Sequence, residues 1–274
     1  MNIAPPVIAP VLSMGTQATP IKLAAAAAIA LPTIIAAKHI LQVYARISAA
    51  PRRNITEVDV NPASFLQSVT VTQHVNPNVH PALHDCRHMD VSIPEYARDL
   101  ADQVLLAAFV RGFFGGMVFA PERAVLKIAK LNLLNYPSLK SNASVSPVWH
   151  VSKLAGDELP PVTTILFGAF QISDSQIHRP GDNTTDPVET ESSVDFVFGS
   201  SQGNFSGTHQ FSILRTKGHP EKARVRYAHI SCNPNGGKLP MPDFMAPLHN
   251  FYAMLLFREA VGEVKRRLEY RDQR

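Results

Sequence analysis

Two neighbouring segments of the sequence carry polar groups that could move protons. "GTHQFSILRT" places His209 and Arg215 at alternate positions with Phe211, and alternate residues of a β-strand share one face. "ARVRYAHISC" repeats the pattern with Tyr227 and His229. An imidazole can act as a general acid or base near neutral pH, and a guanidinium can hold a carboxylate or an enolate oxygen. His209, Arg215, Tyr227 and His229 are therefore the candidate catalytic residues.

The same alternation allows a plainer interpretation of these residues. His209 could be a hydrogen-bonded core residue, and Arg215 could sit at a wet strand end. The alternation alone does not say whether their face is concave or outer, although Phe211 and Ile213 favour the concave one. Asp195 in "SSVDFVFG" faces solvent, or it orients His209 if it points inward.

An alanine-rich run lies near the start of the chain. Residues 23–37 carry no charge and are bounded by lysines. This run is shorter than the ~20 residues that a spanning helix usually needs. We expect an apolar segment over residues 1–50, with a helix over 22–41 that attaches to a membrane, packs on the protein or on another subunit, or is cleaved. Basic residues after the run predict a cytoplasmic body, whereas four Asn-X-Ser/Thr triplets favour the lumen.

The periodicity of the remaining sequence predicts an α+β fold. After a linker over residues 51–63, "SFLQSVTVTQHV" alternates like a strand, and "IPEYARDLADQVLLAAFVRGFF" and "APERAVLKIAKLNLL" are helical. Five short β-branched and aromatic stretches follow, beginning with "SPVWHVSKLAG", and a long amphipathic helix ends the chain. We expect a curved antiparallel sheet wrapped on this C-terminal helix, over residues 64–274.

This element order resembles the START-like, or helix-grip, superfamily. "GTHQFSI" followed by "PLHNFYAMLLFREAV" is similar to the H-x-F strand and P-x-H final helix of an uncharacterised START-like family, and the chain also resembles small proteins of fungal biosynthetic clusters. The resemblance covers about residues 64–267 and implies a cavity between the sheet and the last helix. The residues that would line it are Phe196, Phe198, Phe211, His249, Tyr252 and Trp149.

Three functions are compatible with such a cavity. The resemblance implies a cofactor-independent cyclase, isomerase or dehydratase of secondary metabolism, acting on an apolar polyketide- or terpenoid-like molecule. The first alternative is a non-catalytic protein that binds or transfers a lipid or hydrophobic metabolite. The second is a membrane-associated adaptor, which a filled interior would favour.

Other classes of function have little sequence support. The mild net charge of +4 is scattered until the tail, so no nucleic-acid partner is expected. Two cysteines make neither a disulfide framework nor a cysteine zinc site, and the usual nucleotide and hydrolase motifs are missing. His80, His84 and His88 recur at four-residue spacing, but the prolines nearby favour a surface loop over a metal-binding helix. No cofactor and no metal is expected.

Overall fold

The computed structural model describes residues 19–139, 145–178, 189–240, 242 and 245–270. The chain divides into two compact units, residues 1–41 and 42–274. The second unit contains a curved sheet of seven antiparallel strands in the order β1-β2-β7-β6-β5-β4-β3. The strands are β1 (Thr56–Val58), β2 (Ala82–Ser92), β3 (Ile165–Leu166), β4 (Phe170–Gln176), β5 (Glu189–Gly199), β6 (Ser206–Thr216) and β7 (Lys222–Cys232). The α+β class, the antiparallel curved sheet and the C-terminal helix are confirmed.

The described residues also form five α-helices and a short π-helix. The α-helices are α1 (Thr19–Ile47), α2 (Ala63–Leu66), α3 (Asp102–Gly115), α4 (Ala120–Ala129) and α5 (Ala246–Glu269), and the π-helix covers Thr70–Val75. Single 3-10 turns occur at Arg52–Asn54, Glu95–Ala97 and Val151–Lys153. The predicted linker over 51–63 therefore contains a strand, β1, which pairs with β2.

The phenylalanines of α3 fill the concave side of the sheet, which we call the inner face. The Phe109 ring centroid lies 4.7 Å from that of Phe211, and the Phe114 centroid lies 5.0 Å from that of Phe196. These rings are buried, and each removes a large apolar area from water. Helix α5 covers α3 in turn. The two helices approach closely at Gly112, where a Cβ would lie 2.7 Å from the Ala260 Cα.

The opposite side of the sheet, the outer face, is covered by α2 and the π-helix. Phe65, Val71 and Val75 are buried there against Val197 and Ile230. The prediction that "SFLQSVTVTQHV" forms a strand is therefore wrong. Val71 and Val75 contact the sheet from a helical backbone, which is held by bonds such as Thr72 N–H to Ser68 O at 2.9 Å, because burial on the outer face outweighs local β-propensity.

Three other expectations about elements are corrected. His84 and His88 lie on strand β2, not in a surface loop, because this segment pairs along its whole length with β7. "SPVWHVSKLAG" is not a strand. It forms a 3-10 turn and a single bridge from Val148 to Leu166. The amphipathic pattern of the last helix predicts that Leu248 and Phe251 face the core together with Leu255 and Leu256, but both residues are exposed.

No single helix among the described residues is long and apolar enough to cross a membrane. By length and composition alone, α3 and α4 together could, although they are bent by 72° at the break between them. Membrane attachment through residues 22–41 and a cytoplasmic body stay predictions. The triplets at Asn142 and Asn183 lie outside the described residues.

Candidate functional site

Three of the four candidate catalytic residues meet on the inner face. Strands β6 and β7 place His209 directly opposite His229, and Tyr227 is two residues away on the same face. Tyr227 Oη lies 3.1 Å from His209 Nδ1, and His209 Nδ1 lies 3.1 Å from His229 Nδ1. His229 Nε2 is 3.2 Å from Ser231 Oγ. We call these four residues the imidazole cluster.

The imidazole cluster is neutral at pH 7. Burial lowers the pKa of His209 to about 3, and burial and the neighbouring imidazoles hold the pKa of His229 well below its usual value. Burial also keeps the pKa of Tyr227 well above its usual value. An Nδ1–Nδ1 contact requires one ring to donate and the other to accept, so the two rings share a single proton between these atoms. The cluster can relay a proton but does not hold a charge.

Aromatic rings enclose His209 on the inner face. The Phe198 centroid lies 4.6 Å from the His209 centroid, and the Phe113 and Phe170 centroids lie 5.6 Å and 5.9 Å away. His209 keeps an exposed fraction of 8%. These rings contact the imidazole directly. The described residues therefore do not form the spacious cavity that was expected beside His209.

A buried ion pair adjoins the imidazole cluster. Arg87 Nε donates to Asp85 Oδ1 at 3.0 Å and Nη2 bonds to Oδ2, while the guanidinium carbon lies 5.9 Å from the Tyr227 ring centroid. The His249 ring stands 5.0 Å from that of His229, and its buried Nε2 has no hydrogen-bond partner among the described residues. Burial lowers the pKa of His249. Sequence reasoning missed the ion pair because β2 was taken for a loop. The sequence did contain a signal for this pair: Asp85 and Arg87 are two residues apart, which places them on the same face of a strand.

Arg215 lies apart from the other candidate catalytic residues. It is six residues beyond His209 on β6, which is about 20 Å of extended strand. Its Nε donates to Asp102 Oδ1 at 2.6 Å, and its Nη2 donates to Leu100 O at 2.8 Å. Ser192 Oγ donates to Asp102 Oδ2 at 2.8 Å, so both oxygens of the buried carboxylate accept a bond. This network fixes the guanidinium at the start of α3.

Arg215 lines an open pocket of about 580 Å3, which we call the Arg215 pocket. Its wall combines the segment that leads into α3, strands β5 and β6, and the turn from β6 to β7. Cationic and imidazole groups on this wall are Arg98, His178, Lys217 and His219. His219 Nδ1 lies 3.2 Å from Glu221 Oε1, so a carboxylate orients that imidazole. Sequence reasoning missed this site because its wall comes from segments far apart in the chain.

The remaining predicted residues are spread over the second unit. Phe196 and Phe211 lie in the core against α3, and the Phe198 ring is stacked on that of His229 at 5.7 Å. Tyr252 Oη donates to Glu122 Oε2 at 3.0 Å, away from the imidazole cluster. Trp149 lies against Gly168, where a Cβ would come within 2.8 Å of its ring.

Asp195 faces neither solvent nor His209. It is buried on the outer face, where Gln210 Nε2 donates to its Oδ1 at 2.9 Å. Burial raises the pKa of its carboxyl group to about 6. Both interpretations of this residue are therefore wrong. Asp195 lies on the outer face, away from His209, and helices cover that face and shield it from solvent.

Among the described residues, no group of three histidine, cysteine or acidic side chains could hold a metal ion. His84 Nδ1 instead pairs with Asn61 Nδ2 at 3.0 Å, and Asn61 also donates to His229 O at 2.8 Å. These bonds support β7 where it carries the imidazole cluster.

Comparison with known proteins adds nothing to this geometry. No family model, no curated protein and no solved structure matches the chain.

Proposed function

We propose that this protein binds a small organic molecule with an acidic group in the Arg215 pocket. The observation that carries the proposal is the position of Arg215, which is held by Asp102 and Leu100 O on the wall of a pocket of about 580 Å3. That volume lies within the range of ordinary small-molecule sites. Like the binding alternative drawn from the sequence, this function involves no chemistry, but both the site and the ligand differ from the interior cavity and the lipid or hydrophobic metabolite expected there.

The charges on the wall favour an anionic ligand. Arg215 and Asp102 neutralise each other as an ion pair, and the remaining charges on the wall, Arg98 and Lys217 against Asp99, leave a surplus of one positive charge. A guanidinium carries five N–H donors, and its two described contacts use only Nε and Nη2. A ligand carboxylate or phosphate can therefore bind a guanidinium whose position is already fixed, which lowers the entropy cost of binding.

The same wall also offers apolar surface. Leu100, Ala101 and Pro220 line the pocket beside the cationic groups. An apolar body with one acidic group fits this mixture better than a fully apolar lipid, because burying a guanidinium against hydrocarbon alone is costly. The ligand class is thus an aliphatic or aromatic acid.

The experiment compares an acid with its uncharged counterpart. Intrinsic fluorescence or calorimetry would measure the affinity of the full chain for a panel of aryl and medium-chain carboxylates, and for their methyl esters. We expect at least about tenfold tighter binding of the acid, since a charge-assisted hydrogen bond contributes about 1.5–3 kcal/mol. Equal affinity for acid and ester contradicts the proposal.

A second candidate function is supported by the imidazole cluster. The chain of contacts from Tyr227 through His209 and His229 to Ser231 could transfer a proton to or from an apolar substrate without a cofactor. This is the cyclase, isomerase or dehydratase of the sequence analysis. It requires a substrate to reach His209, which is a buried residue with an exposed fraction of 8%. Conversion of a co-purifying metabolite by the wild type but not by His209→Gln would test it.

A further inference from the structure

Helix α4 presents an apolar side to solvent. Val125 and Ile128 are 62% and 84% exposed. Pro121, Ala124 and Ala129 are exposed on the same side of the helix. We call these five residues the α4 surface. A solvated surface helix normally turns its large apolar side chains to the core, whereas α4 buries Leu126 alone among them and leaves Val125 and Ile128 in solvent.

The charged side chains of α4 are bonded to the protein body. Arg123 Nη1 donates to Phe114 O at 2.7 Å and to Gly116 O at 3.1 Å. Glu122 accepts the bond from Tyr252 Oη, and Lys127 Nζ lies 3.3 Å from His150 Nδ1. The orientation of α4 is therefore fixed by polar contacts that hold its apolar side outward.

The first turns of α5 extend this apolar area. Leu248 and Phe251 are 64% and 60% exposed. The bond from Tyr252 to Glu122 joins this end of α5 to α4. Two helices joined by this bond therefore both carry exposed apolar residues, and exposed apolar surface beyond single scattered residues marks interaction sites.

The charges beside the α4 surface identify its partner. Lys127 and Lys130 are exposed at the C-terminal end of α4, and Lys130 ends the helix in a left-handed conformation with φ of 47°. A second copy of this chain, docked by the same surface, would bring these lysines together across a two-fold axis. An apolar strip with lysines beside it instead matches a bilayer that contains anionic lipid.

We propose that the α4 surface, with Leu248 and Phe251, docks the protein on an anionic membrane. This interface is distinct from the predicted attachment through residues 22–41, and it does not depend on the Arg215 pocket. The apolar side chains would enter the boundary between headgroups and acyl chains, and the lysines would meet the lipid phosphates.

The test is co-sedimentation of the full chain with vesicles of phosphatidylcholine alone or with 30% phosphatidylserine. We expect binding to the mixed vesicles that weakens with added salt, and Ile128→Glu to reduce it at least about tenfold. Lys130→Gln should reduce it about fivefold. Val60→Glu is the matched control, because Val60 is also an exposed aliphatic residue but precedes α2 on the outer-face side.

Three results would overturn the proposal. One is equal binding to neutral and anionic vesicles, and another is an equal loss of binding in Ile128→Glu and Val60→Glu. The third is a wild type that is dimeric by analytical ultracentrifugation and becomes monomeric on Ile128→Glu, since the α4 surface would then serve a second copy. Circular dichroism confirms that each variant keeps the fold.

Discussion

The imidazoles of His209 and His229 meet Nδ1 to Nδ1 at 3.1 Å across the centre of the sheet. Two protonated rings could not make this contact, because both nitrogens would then carry a hydrogen. Phe113, Phe170 and Phe198 surround His209 and exclude most water from it. The pair therefore links the protonation state of the protein to its folding.

The first prediction is a loss of stability in mild acid. Burial lowers the pKa of His209 to about 3, so below pH 6.5 the unfolded chain binds a proton on this residue that the folded chain does not bind. The stability that depends on a neutral His209 is fully present above pH 6.5 and is lost as the pH falls towards 3. Between pH 6.5 and 5 the free energy of unfolding should fall by about 2 kcal/mol from His209 alone. Urea denaturation at the two pH values measures it.

The control for this prediction is a neighbour that does not titrate. His209→Gln should flatten the pH dependence, whereas Phe170→Leu, which replaces a ring 5.9 Å from that of His209, should lower stability at both pH values and keep the dependence. Equal pH dependence in His209→Gln and the wild type would contradict the assignment.

The second prediction concerns the buried carboxyl group of Asp195, which acts in the opposite direction. Its pKa is raised to about 6, so the folded protein keeps this proton where the unfolded chain loses it, and stability falls as the pH rises from about 4 to 6. Asp195→Asn keeps an oxygen for the Gln210 bond and should raise the free energy of unfolding at pH 8 by about 3 kcal/mol. At pH 4 the gain should vanish. Asp157→Asn, at an exposed site, should show neither effect.

The third prediction concerns the ion pair that fixes Arg215. Removing the guanidinium by Arg215→Met leaves the buried carboxylate of Asp102 with Ser192 as its remaining described partner, which should cost about 3 kcal/mol. The double variant Arg215→Met with Asp102→Asn should recover part of this loss, because no unpaired charge remains. Chemical denaturation of the two single variants and the double variant measures the coupling. Strictly additive losses would show that the pair does not contribute as a pair.

The fourth prediction concerns Glu259, which joins α5 to the turn between α3 and α4. Its side chain is fully buried, and its two oxygens accept the N–H groups of Met117 and Val118, both at 2.7 Å. Glu259→Gln turns one acceptor into a donor that faces a backbone N–H, so the free energy of unfolding should fall by about 2 kcal/mol. Glu263→Gln, one turn further on, is the control. A loss no larger than that of the control would mean that the carboxylate is dispensable.

The sequence was informative about which residues share a face, although not about which faces are buried. The two-residue period of β6 and β7 predicts the shared face of His209, Tyr227 and His229, whereas both faces of these strands are buried in the structure. Segment 64–75 could not be assigned, because its valines and threonines favour a strand while the outer face of the sheet requires a helical cover.

The Arg215 pocket was beyond sequence reasoning for a different reason. Asp102 and Arg215 are 113 positions apart, and nothing local in either segment indicates that they pair. Parity placed Arg215 on the inner face with His209, but six residues of extended strand separate the two by about 20 Å, so a shared face did not bring them to one site. The inner face of β6 is long enough to pack into the core at one end and to line an open pocket at the other.

The central claim is that the Arg215 pocket binds an organic acid, and native mass spectrometry of the purified full chain tests it most directly. We expect an organic acid to co-purify, or to bind when added, and to be lost in Arg215→Gln and weakened in Arg98→Gln. Arg224→Gln should retain it, because Arg224 pairs with Asp90 on strands β7 and β2 outside this pocket. An acid that stays bound in Arg215→Gln and Arg98→Gln as in the wild type would contradict the claim.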